Sequence, residues 1–205
     1  GFTVNQTIKC HKEIIQRVNK ISKETGKEYM IISRGDSTLR GHYPLETQLL
    51  REGFEADGKK HLDGEVICPF FKEGGRFTIG NIHYVKTGNV LVPAGQTEFA
   101  KDKTFGYTSS NLCDYIEEKT NGKYSAEKVI TISLEELREV KIDEITKKLM
   151  QVENFEKIVV NAIDYCDLKV FVIALYKAME QGKNFMFRVA AAIVKIIGGI
   201  SEQPL

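Results

Sequence analysis

The stretch YMIISRGDSTLRGHYPLETQLLREGFEA, residues 29–56, decides the fold class. Tyr29 to Ser33 is a short apolar run that reads as a buried strand. A polar loop with glycines at 35 and 41 follows, and Pro44 then opens a helix that runs to about Ala56. Strand, glycine loop and returning helix make up the unit of an α/β sheet, in which ligands bind beyond the carboxyl ends of the strands.

Outward from this unit the alternation continues. Upstream, residues 6–24 place Ile8, Ile14, Ile15, Val18 and Ile21 at helical spacing, and Gly26 stops the pattern. Downstream come a strand at 65–70, a second glycine loop at 71–81 and a β-hairpin near 82–92 that turns at Gly88-Asn89. A surface loop is expected at 97–110, and a helix with a serine cap at 109–120. A strand at 129–132 leads into a Ser133/Glu136 capping box. A strand at 157–162, a helix at 167–181, a strand at 184–188 and a helix at 190–197 complete the chain. The expected fold is α/β: a mostly parallel sheet flanked by helices, with an inserted β-hairpin, in one domain.

Composition narrows the function. The chain has 29 basic and 28 acidic residues and a formal net charge of +1. No bulk field recruits nucleic acid, and basic pairs such as Lys147-Lys148 are interleaved with acids. No leader pattern opens the sequence, and the most apolar stretch, Val189 to Ile200, is shorter than a membrane span and contains Lys195. Cys10, Cys68, Cys113 and Cys166 form no CxxC pair, so no zinc or redox motif is present. A cytoplasmic protein with no membrane or nucleic-acid partner is expected.

The first loop, Arg34 to His42, carries the most chemistry. Arginine forks such as that of Arg40 hold carboxylates with parallel hydrogen bonds, while Asp36 and Ser37 suit hydroxyl groups. Glycines at 35 and 41 let a backbone approach a ligand. The loop therefore suits a small anion bearing several hydroxyls; alternatively, Asp36 caps a turn and pairs with the arginines. In the second loop, Gly74-Gly75-Arg76 reads either as a nest of amide donors beside a fixed charge or as a tight turn. It lacks P-loop spacing. His83 and His42 are candidate bases or donors, and Arg188 can face the same cleft. Asp164 is either a third-loop contributor or a helix N-cap. Spacing alone assembles no nucleophile, metal cluster or acid–base pair, so the catalytic residue is unassigned.

Ser33 to His42, Pro69 to Arg76, His83-Tyr84-Val85, Val92-Pro93, Thr97 to Ala100, Phe105-Gly106-Tyr107, Asp164 and Phe187-Arg188 occur in this order. Together they resemble the amino-terminal domain of four-carbon acid sugar kinases, a family long catalogued as a domain of unknown function with some members labelled type III effectors. The resemblance implies the substrate-binding part of an ATP-dependent kinase that phosphorylates threonate, erythronate or an oxo-tetronate. Carried onto this chain, it makes Asp36, Ser37, Arg40, Gly74, Gly75, Arg76 and His83 the substrate contacts. ATP, with magnesium, is implied to bind mainly on a separate carboxy-terminal domain. Neither that domain nor the family's opening strand with its Asp-Asp-x-Thr-Gly signature is in this sequence, so residues 1–205 are expected to be a partial substrate-binding domain, inactive by itself. A homo-oligomer or a complementary chain is expected to cover the sheet edge left open. The alternative is a non-catalytic, effector-like interaction protein on the same fold.

Overall fold

In the computed structural model, which describes residues 1–58 and 60–201, five strands form one parallel sheet. They are β1 (Ile32–Arg34), β2 (Gly64–Cys68), β6 (Ile130–Ile132), β7 (Glu156–Val160) and β8 (Phe185–Val189), in the order β1-β8-β2-β7-β6. The central strands β2, β7 and β8 are buried on both faces, as strands covered on both sides must be.

Strand alternation sends Val66, Cys68, Ile158, Val160, Phe185, Phe187 and Val189 to one face. There they pack on α4 (Leu134–Arg138), α5 (Ile142–Gln151), α6 (Tyr165–Glu180) and α7 (Ala191–Ile197). Ile67, Val159 and Met186 point to the other face, against α1 (Val4–Thr25), α2 (Leu45–Glu55) and α3 (Leu112–Lys119). The same alternation sends Glu65, Lys157 and Arg188 to that second face.

The expected hairpin is present as β4 (Ile82–Thr87) and β5 (Val90–Pro93), and it is one strand larger than expected. β3 (Arg76–Ile79), which lies within the second glycine loop of the sequence reading, pairs antiparallel with β4. A two-way backbone bridge between Thr78 and Ala162 pins this small sheet to the end of β7.

Local chemistry sets most boundaries. A capping box between Thr3 and Gln6 starts α1, and Gly26 in the left-handed region ends it. Asn111, rather than a serine, caps α3. Helix α5 has no counterpart in the sequence reading. Its apolar contacts come from Ile142, Ile145, Leu149 and Met150, which pack against the core shared with α6. The loop expected at 97–110 begins in short 3-10 turns and buries Ala100 and Tyr107. Among the described residues no helix is long and apolar enough to cross a membrane, and all four cysteines are free thiols.

Candidate functional site

The first glycine loop leaves the carboxyl end of β1, and its shape is held from within. The Asp36 carboxylate accepts hydrogen bonds from the Thr38 amide (3.2 Å), the Thr38 hydroxyl and Arg40 Nε (2.7 Å). Burial opposes ionisation of Asp36, but the hydrogen bonds from Thr38 and Arg40 outweigh it and hold the carboxyl below its usual range. Leu39 adopts φ 69° with its side chain buried, and its carbonyl accepts from the Tyr115 hydroxyl (2.9 Å). The Tyr107 hydroxyl donates to the Thr38 carbonyl (2.7 Å).

The glycines of this loop also make room for a buried side chain. Arg188, buried at the end of β8, lies across the loop backbone and donates to the Arg40 carbonyl (3.2 Å); its other side faces Glu46 on α2 (3.7 Å). A β-carbon on Gly35 would stand 1.0 Å from Arg188 Nη1, and one on Gly41 would stand 2.8 Å from Nη2. The space left by the glycines is filled by the protein's own arginine.

In the second loop, Gly75 donates to the Lys72 carbonyl (2.9 Å), and Phe71 and Arg76 exchange backbone hydrogen bonds. Those amides are committed to a tight turn, the second of the two readings the sequence offered. Gly75 sits at φ 70°, with the Lys86 side chain packed beneath it. The turn is latched to the start of α6 by a Lys72–Asp164 ion pair (2.5 Å) and a hydrogen bond from Tyr165 to Glu73 (2.6 Å). Asp164 is the N-cap of α6, the second of its two sequence readings.

Two contacts join the loops. His83 on β4 is fully buried; its Nε2 bonds to the Ser37 carbonyl (2.8 Å) and its Nδ1 to the Thr78 hydroxyl (3.0 Å). A carbonyl can only accept, so Nε2 carries the proton and Nδ1 accepts. Burial pushes the imidazole pKa down to about 4, so His83 is a neutral strap between the loops near pH 7. The second contact is the Phe99 ring, over which the guanidinium carbons of Arg40 and Arg76 lie 5.0 and 5.6 Å from the centroid.

Arg76 also donates to the Gly74 carbonyl, and its buried Nε has no hydrogen-bond partner. The Ser37 hydroxyl has none among the described residues either. A groove of about 440 Å³ opens beside the first loop, bordered by Asp36, Arg40, His42, Asp102 and Phe105. Asp102 faces Arg40 at 3.9 Å. The expected residues Asp36, Ser37, Arg40, Arg76 and His83 thus come together, with Gly74 and Gly75 shaping the turn. Phe99, Asp102 and Glu46 were missed by site reasoning from the sequence. Phe99 lies within the Thr97–Ala100 motif, but nothing local gives it a site role, and no motif marks Asp102 or Glu46; all three join the site only through tertiary packing. Among the described residues no group of three His, Cys, Asp or Glu side chains stands ready for a metal ion.

No curated protein matches the sequence significantly. Solved structures share the fold. A Haemophilus influenzae protein of the DUF1537 family superposes with TM-score 0.63 at 16% identity, over 94% of this chain and 44% of its own. A Bordetella bronchiseptica DUF1537 protein, solved as a domain-swapped dimer with bound citrate, gives 0.64 at 18% identity over 96% and 43%. A second crystal form of it gives 0.63 at 17% over 94% and 40%. This chain therefore spans less than half the length of these structures. The model of the sugar-binding N-terminal domain matches residues 5–197, and the chain belongs to that family.

Proposed function

We propose that the chain is the substrate-binding part of an ATP-dependent kinase that phosphorylates a four-carbon sugar acid: threonate, erythronate or an oxo-tetronate. The observation that carries this reading is the convergence of Arg40 and Arg76, from two separate loops, on one face-bearing residue, Phe99, beside the Asp36 carboxylate. Arg76 keeps an unpartnered Nε, and Arg40 is held in place by Asp36. Two fixed guanidinium groups recognise a carboxylate; Asp36 and the Ser37 hydroxyl accept and donate to sugar hydroxyls. Gly74 and Gly75 hold the turn that presents Arg76, and His83 positions Ser37 from behind. The citrate in the Bordetella relative is a small hydroxy-acid anion of the same chemical class.

On this reading the chain supplies the acceptor site and not the nucleotide site. The same proposal assigns ATP, with magnesium, to a separate carboxy-terminal domain, while this chain's residues bind and orient the acceptor. Pairing with a second copy or a complementary chain belongs to the same reading, since among the described residues β1 pairs with β8 alone.

Titration calorimetry of the chain with threonate and erythronate tests the proposal. Saturable binding that weakens by about 1.5–3 kcal/mol in Arg40→Ala and in Arg76→Ala is expected, the range for hydrogen bonds to charged groups. No heat with any four-carbon acid, or binding indifferent to both changes, overturns it.

A further inference from the structure

A second, separate cavity lies on the α2/α3 face of the sheet, toward the amino-terminal end of β7 and away from the glycine loops. It is about 210 Å³ and is bounded by Thr47, Gln48 and Arg51 on α2, residues 119–121, 123 and 124 at and beyond the end of α3, and Phe155 and Lys157. Its lining holds four cationic side chains, Arg51, Lys119, Lys123 and Lys157, and no carboxylate.

Acids balance only two of the four cations, from behind. Arg51 bonds to Glu55 (3.0 Å), and Lys157 bonds to Glu65 (2.6 Å) in an ion pair that is 2% and 0% exposed. Among the described residues neither Lys119 nor Lys123 is paired with a carboxylate. Lys119 donates to the Gly106 carbonyl (3.2 Å), and Lys123 lies over the Tyr124 ring. Lys157 is wedged between the Tyr124 and Phe155 rings, 4.0 and 3.8 Å from their centroids, and Arg51 covers the other part of Phe155 at 4.3 Å. Burial lowers the Lys157 pKa; Glu65 opposes this, and the positive charges of Arg51 and Lys123 deepen it. Surface lysines normally spread apart in water; here they are gathered around a recess, at an electrostatic cost that a bound anion would offset.

We infer that this cavity is a binding site for the phosphate group of a small molecule, distinct from the sugar-acid cleft, held by Arg51, Lys119 and Lys123 over the Lys157 floor. The three cationic donors suit the charge and the tetrahedral oxygens of a phosphate. Thr47, Gln48 and Asn121 at the rim can take the hydroxyls of whatever carries the phosphate.

The test is amide NMR of the full chain titrated with inorganic phosphate, and separately with glycerol 3-phosphate, at constant ionic strength set with chloride. Saturable shifts at Asn121, Gly122, Lys123 and Tyr124 are expected with both. In the Lys119→Gln/Lys123→Gln variant, whose side chains are half-buried and exposed, the half-saturation concentration should rise by roughly tenfold or more. It should stay unchanged in Arg40→Ala. Tighter binding of glycerol 3-phosphate than of phosphate assigns the site to a phosphoester; equal binding assigns it to free phosphate. Absence of saturation at these amides, equal shifts with chloride alone, or an unchanged response in the double variant overturns the proposal.

Discussion

The guanidinium of Arg188 occupies the space where a side chain on Gly35 would begin: a β-carbon there would stand 1.0 Å from Nη1. Arg188 comes from the neighbouring strand β8, and its contacts with the Arg40 carbonyl and Glu46 tie the first loop to α2. The loop is therefore shaped from below by a buried cation, while Arg40 and Asp36 face the groove.

Gly35→Ala should destabilise the chain by about 1–3 kcal/mol, the range for forcing atoms into filled space. No positive φ is involved at this position, so the cost is steric. In urea unfolding, the Gly35→Ala/Arg188→Ala double variant should lose less than the sum of the two single changes, because removing Arg188 vacates the space. Additive losses would mean that the two residues do not share it.

Phe99 should act through the arginines. Phe99→Ala is expected to weaken sugar-acid binding by about 0.5–2 kcal/mol, the span of cation–π contacts from exposed to desolvated sites. A double-mutant cycle with Arg40→Ala, read by calorimetry, should give a non-zero coupling energy. If the two losses add, Phe99 is not the platform that orients Arg40.

The pH dependence of stability should carry the mark of His83. Its folded-state pKa of about 4 lies below the ordinary 6.5, so the unfolded chain takes up a proton that the folded chain refuses. Stability from this group is complete above pH 6.5 and falls as the pH drops toward 4, by on the order of 3 kcal/mol in all. The lowered pKa of Asp36 acts in a separate window, below its ordinary 3.8. Guanidinium unfolding of wild type and His83→Gln across pH 4–7 checks this, and the variant should show the flatter profile.

Asp164 should matter as a cap more than as a partner of Lys72. Asp164→Ala removes the side chain that accepts from the Cys166 amide and is expected to cost about 1 kcal/mol, whereas Asp164→Asn keeps the cap. Lys72→Ala removes only a solvent-exposed ion pair and should leave the thermal midpoint near that of wild type. A larger loss for Lys72→Ala than for Asp164→Ala would reverse this ranking.

Glu65 and Lys157 form the costliest polar pair to break. Glu65→Gln leaves a buried ammonium without its counter-charge and should destabilise by about 3–5 kcal/mol, with Glu65→Leu/Lys157→Met recovering much of that loss. Chemical denaturation of the three variants decides it.

By itself, the sequence determined the α/β alternation, the strand and helix termini marked by Gly26 and the Ser133/Glu136 box, and the loop from Arg34 to His42 as the place where chemistry gathers. These are local signals: periodicity, caps and turn residues lie within a few positions of what they control. The family, too, was legible from short ordered motifs. Tertiary structure alone decided the rest. It turned Gly74-Gly75-Arg76 into a hydrogen-bonded turn, drew β3 into a three-stranded sheet and buried His83 as a neutral strap. It also brought Phe99 and Asp102 to Arg40 from about sixty residues away. No local pattern encodes such contacts, since they arise only when distant segments pack. Gly35 shows the difference most clearly: its presence in the loop was plain in the sequence, but its reason, the buried guanidinium of Arg188, lies more than 150 residues further along the chain.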